Sequence, residues 1–160
     1  MALKYTGFNG NAKGPLASMD AWIKHALEHS GFKNLGSYVV REQRSSAKVD
    51  HKNIPSVHGT GRAVDIGYTG VEKGRKKCLE FLEFLVLNGD ALGVELILDY
   101  LPKPYGRGWK SERGSWQNYQ KPTLAGAPGG RWIHVEISPT LLGNMRAVNQ
   151  AWNDLRGIKI

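Results

Sequence analysis

Apolar residues recur at helical spacing in three stretches of the chain, and short β-branched runs lie between them. Ser18 is placed to cap a helix over Met19–His29, with Ala21, Trp22, Ala26 and Leu27 on one face and Gly31 as its stop. Val71–Asn88 carries a broad apolar face of Leu79, Phe81, Leu82, Leu85 and Val86, with Lys73, Arg75, Lys76 and Glu83 opposite. Pro139 opens a third helix to about Leu155, with Leu141, Leu142, Met145, Val148 and Trp152 inward. Between the helices, Gly36–Arg41, Arg62–Tyr68, Gly93–Tyr100 and Arg131–Ile137 read as strands. Residues 1–15 read as an irregular lead-in, 42–57 as a polar loop, and 101–130 as a long loop rich in Gly, Pro, basic and aromatic residues. The order predicts an α+β domain, with a small, mainly antiparallel sheet flanked by helices.

Composition narrows this picture. A chain of 160 residues, 41% of them apolar, can bury one ordinary core, so residues 1–160 are expected to form a single domain. The lone cysteine, Cys78, excludes an internal disulfide and a cysteine-rich zinc site. Its apolar helical setting marks it as a small buried hydrophobe. Any metal must therefore be held by His, Asp or Glu. The first ten residues lack a basic segment followed by an apolar run, and no stretch approaches the roughly 20 apolar residues of a membrane span. Synthesis in a cytoplasm is expected, with release by other means if the protein acts outside. The net charge of +8 attracts polyanions such as nucleic acid, anionic lipid or bacterial envelope polymers, without choosing among them.

Chemistry concentrates in two segments. In Ser56-Val57-His58-Gly59-Thr60-Gly61-Arg62-Ala63-Val64-Asp65, His58 ends a loop and Asp65 lies on a strand. Gly61 between them permits a backbone angle closed to other residues. Ala63 shares the face of Asp65 and leaves room before its carboxylate. In Trp132-Ile133-His134-Val135-Glu136, the imidazole of His134 and the carboxylate of Glu136 project together, while Ile133 and Val135 face the other way. His58, Asp65 and His134 make three ligands, which leaves a fourth position for water, the pattern of catalytic zinc. His25, His29 and His51 lack such context, and the first two read as helix surface or boundary residues.

The string Ser56-x-His58-x-x-Gly61-x-Ala63-x-Asp65, followed by a later strand bearing His134, resembles the zinc D-Ala-D-Ala carboxypeptidases and the phage L-alanyl-D-glutamate endopeptidases. These belong to the lysostaphin, D-Ala-D-Ala peptidase and hedgehog group. Gly93-Val94 leading to Tyr100 is a weaker similarity, and the likeness spans roughly residues 36–137. It implies Zn2+ held by His58, Asp65 and His134, and cleavage of a peptide bond in peptidoglycan stems. It also implies an upstream Arg for a substrate carboxylate or carbonyl; Arg41 and Arg44 both qualify. Many members carry the catalytic carboxylate three residues before the last ligand, where this chain has Arg131. Glu136 is then the first choice of general base and Asp99, on the neighbouring strand, the second.

The expected protein is a monomeric endolysin or virion-borne lysin acting on the cell wall, without a separate wall-binding domain and without stable nucleic-acid partners. A non-catalytic phage structural or wall-binding protein of the same fold is the first rival. A basic nucleic-acid-binding protein, with the aromatics and cations of 101–130 as its surface, is the second.

Overall fold

A computed structural model describes residues 2–157. The elements run α1 (Ala17–Ser30), β1 (Lys33–Gly36), a 3-10 turn (Val57–Thr60), β2 (Ala63–Gly67), α2 (Gly74–Leu87), α3 (Gly89–Leu92), β3 (Val94–Asp99), β4 (Arg107–Lys110), β5 (Ser115–Asn118), β6 (Trp132–Ile137), α4 (Pro139–Leu142) and α5 (Met145–Asp154). The strands form one sheet in the order β1-β2-β6-β3-β4-β5, with every neighbouring pair antiparallel. The expected α+β class, with its antiparallel sheet and flanking helices, is therefore present.

Side-chain alternation gives the sheet two unlike faces. Val64, Ile66, Ile133, Val135, Ile137 and Ile97 lie in a core cluster with Trp22, Phe81, Leu85 and Trp152 of the helices. The other face carries Asp65, His134 and Glu136 and floors a cleft. Cys78 is fully buried, and burial pushes its thiol up to about 12, as suits an inert core residue. His25 contacts Asn149 Oδ1 at 2.9 Å, and His29 stacks on Phe84 at 4.0 Å, so both serve helix packing.

Several boundaries differ from expectation for physical reasons. Ser18 lies inside α1 instead of capping it; its hydroxyl donates to the Leu142 carbonyl, tying α1 to α4. Leu79 is exposed on α2, and Met145 is exposed on α5. The third helix is two: Asn144 accepts from Ala147 N and starts α5 afresh after Gly143. The first strand ends at Gly36 instead of running through Arg41, because the backbone from Ser37 leaves the sheet and turns over His58. The stretch 101–130 is only partly a loop. Arg107–Lys110 and Ser115–Asn118 pair as a hairpin, with Trp109 opposite Trp116. Trp109 is buried in the core, which removes it from any stacking surface.

The irregular N-terminal segment is a strap laid against the domain. Thr6 donates its N–H and its hydroxyl to Glu95 at 2.9 and 2.8 Å. Arg62, itself buried, donates to Gly7 O and to Ile137 O, and its guanidinium lies 3.8 Å from Glu95. Ala12 N donates to Gly59 O, and Tyr38 donates to Ala12 O. Among the described residues no helix is long and apolar enough to cross a membrane.

Candidate metal centre

His58 is placed by a short local device. Ser56 accepts from His58 N and starts the 3-10 turn, and Gly61 ends it in the left-handed region at φ 75°. A side chain at Gly61 would also meet Leu16, whose Cγ lies 2.8 Å from an added Cβ. At Gly59 an added Cβ would strike the Asn11 side chain at 2.2 Å. The glycines thus serve both the turn and the strap that packs on it. The imidazole of His58 is buried, and its Nδ1 lies 2.6 Å from the Ser37 carbonyl. A carbonyl can only accept, so Nδ1 donates to it, and Nε2 is the nitrogen turned toward Asp65.

Asp65 and His134 meet through sheet register. They are direct partners across β2 and β6, on the face away from the helices. Asp65 Oδ1 lies 2.9 Å from His134 Nδ1, and Asp65 Oδ2 lies 3.3 Å from His58 Nε2. The two rings meet edge to face with centroids 4.9 Å apart. One donor atom from each of His58, Asp65 and His134 falls within 4.8 Å of the others. For bonds of about 2.1 Å, two ligands of a tetrahedral zinc sit about 3.4 Å apart, so these separations are of the right size.

The outer contacts fit a metal as well. The second nitrogen of each ring already has its own partner: Ser37 O for His58, and Glu136 Oε1 at 2.9 Å for His134. Ligating histidines are commonly oriented this way, with the far N–H held by a carbonyl or carboxylate. The buried His58, Asp65 and His134 group can therefore hold a metal ion.

The three site residues set one another's charge. Burial alone would lower the pKa of His134, but hydrogen bonds with Asp65 and Glu136 outweigh it and push the ring up to about 10. Burial alone would raise Asp65, yet the bonds from His134 and His58 hold its carboxyl well below the usual range.

The cleft above this floor has a volume of about 440 Å³. Arg41, Arg44, His51 and Lys110 supply basic groups to its lining. Tyr100 and Trp132 stack at 4.7 Å and, with Tyr119 and Leu124, form an aromatic and apolar wall. Both candidate substrate arginines, Arg41 and Arg44, therefore line the same cavity as the donor group.

Asp99 does not. It is the register partner of Ile133 and so belongs to the helix-covered face. Its carboxylate is fully buried and is held by Arg75 at 2.9 Å through each oxygen, and by Arg107 Nε at 2.9 Å. It is a structural anion, and its choice as second general base is corrected. Arg131 also points away from the site, with its guanidinium 5.2 Å from the Tyr68 ring centre. Glu136 does sit beside His134, as its spacing implied.

Sequence reasoning missed Tyr5, whereas Lys110 belongs to the basic and aromatic stretch 101–130, one reading of which is a loop that frames the cleft. Tyr5 comes from the strap, and no local pattern marks it. Trp132 was legible in principle, since it shares strand parity with His134.

Compared with family models, curated proteins and solved structures, the chain gives no match.

Proposed function

We propose that the protein is a zinc-dependent hydrolase that cleaves a peptide bond in the stem peptides of bacterial peptidoglycan, as a lysin of phage type. The observation that carries the reading is the convergence of His58, Asp65 and His134 on one cleft floor. It joins the resemblance of Ser56-x-His58-x-x-Gly61-x-Ala63-x-Asp65 and His134 to the D-Ala-D-Ala carboxypeptidases and L-alanyl-D-glutamate endopeptidases.

A zinc ion held there supplies Lewis acidity toward a carbonyl and makes water a nucleophile near neutral pH. The chain's own residues would hold the ion and orient the substrate. His58 Nε2, Asp65 and His134 Nδ1 hold the ion, with the far nitrogens fixed by Ser37 O and Glu136. Arg41 and Arg44 offer guanidinium forks to a stem carboxylate. Tyr100, Trp132 and Tyr119 line the cleft beside the floor and offer an aromatic wall to the substrate.

One observation favours a second reading, a metal-holding wall-binding protein without hydrolysis. Among the described residues lining the cleft, the only carboxylates are Asp65 and Glu136, and both already face His134. Purified peptidoglycan digested with and without chelator, then analysed by mass spectrometry, separates the two. The hydrolase reading expects a stem fragment with a new amine and carboxyl end, lost on chelation and restored by zinc. Bound zinc without new ends supports the second reading, and cleavage that persists after exhaustive metal removal refutes the first.

A further inference from the structure

His134 has a carboxylate at each nitrogen: Asp65 at Nδ1 and Glu136 at Nε2, both at 2.9 Å. The two cannot play the same part. Asp65 also faces His58 and so looks into the donor cluster, whereas Glu136 sits on the far edge of the ring. Its register neighbours across the sheet are Ala63 on β2 and Leu96 on β3. Oε1 is taken by His134, and Oε2 is buried without a completed hydrogen bond. One oxygen of this carboxylate is thus engaged by the ring and the other is buried.

Tyr5 closes the far side. Its side chain lines the same cleft as Glu136, and the Glu136 charge bears on its phenol. The residue is held at its backbone and over one face of its ring. Its N–H donates to Glu112 at 3.1 Å, and Lys110 Nζ sits 4.2 Å over its ring. The next residue, Thr6, is held twice by Glu95, and Gly7 O is held by the buried Arg62. Burial and the Glu136 charge keep the phenol protonated, so it is a donor.

We propose that Glu136 and Tyr5 form an outer pair that locks His134 in its Nε2–H tautomer, with Nδ1 presented to the metal; Glu136 is a positioning residue and Tyr5 is its anchor, carried in by the N-terminal strap. The proposal rests on the metal-centre reading. It replaces the general-base role expected of Glu136 and gives the strap a part in the site. A far-nitrogen carboxylate is worth about 10- to 100-fold in metal affinity.

The test is a zinc titration against a chromogenic chelator for wild type, Glu136→Gln and Tyr5→Phe. Long-range 15N–1H NMR of the imidazoles and turnover at saturating zinc accompany it. Glu136→Gln is expected to weaken zinc about 10- to 100-fold and Tyr5→Phe about 3-fold or more, with turnover lost at limiting zinc and recovered in part as zinc is raised. Zinc-loaded wild type should show His134 with its proton on Nε2. A Glu136→Gln variant with unchanged zinc affinity and turnover lowered 100-fold makes Glu136 the proton carrier and overturns the proposal. Unchanged affinity in Tyr5→Phe removes Tyr5 from it. Because the NMR arm uses wild type, a proton found on Nδ1 of His134 overturns it even where the variants fold poorly. Wild type that takes up no zinc at all brings down the metal-centre reading itself, an outcome distinct from all of these.

Discussion

At the scale of single residues, the paired carboxylates around His134 govern how the site handles protons. The folded pKa of this imidazole is raised above its ordinary 6.5, to about 10. Its contribution to stability is therefore full below about pH 6.5 and is lost as pH climbs through about 10. Asp65 works in the opposite sense: its depressed pKa stabilises the fold above the ordinary carboxylate range and fails in strong acid. With its pKa raised to about 10, the ring favours the doubly protonated form at pH 7, and an ion bound through Nδ1 as proposed would displace one of those protons. Zinc uptake at pH 7 is thus expected to expel about one proton from His134. Calorimetry in buffers of different ionisation enthalpy measures this number directly, and a value near zero would show the ring to be neutral beforehand.

At the scale of elements, two strands and one turn make the site, and each was legible to a different degree. Alternation along Trp132–Ile137 correctly set His134 and Glu136 apart from Ile133 and Val135. The same rule, applied across β3, would have sent Asp99 to the helix side with Ile97. It was missed because the pairing of β3 with β6, and hence their relative parity, is a tertiary fact. Ser37–Arg41 has strand-like residues but leaves the sheet, since its backbone is needed at His58 and Ser56. Propensity yields here to tertiary demand. Replacing Asp99 by Ala should cost about 3 kcal/mol, the scale for removing one partner of a buried ion pair. Turnover per folded molecule should stay within about twofold, because Arg75 and Arg107 lie across the sheet from the cleft. Urea denaturation together with active-site titration by zinc tests both halves, and a selective loss of turnover would return Asp99 to the chemistry.

Across the whole molecule, charge and topology act together. The net charge of +8 includes Arg41, Arg44 and Lys110 at the cleft, so the molecule and its site both favour anionic polymers. Association with purified cell walls should weaken several-fold between about 50 and 500 mM salt, as screening shortens from roughly 14 to 4 Å. Co-sedimentation measures it, and salt-independent binding would point to a neutral determinant such as the aromatic wall. Class and strand order of chemistry were readable from periodicity and motif, whereas the strap was not. Its ties run from residues 3–12 to partners such as Arg62, Glu95 and Ser111, and contacts so distant in sequence leave no periodic trace.

The direct pairing of Asp65 with His134 has a consequence for how the chain recognises its own correct assembly. Sliding β2 against β6 by a single position would turn one donor toward the greasy side and break up the triad. Under the proposed metal centre, ion capture would become a proofreading signal: only molecules whose strands have docked in the proper alignment would gain the ligand's stabilisation, and misaligned ones would stay open to unfolding and another attempt.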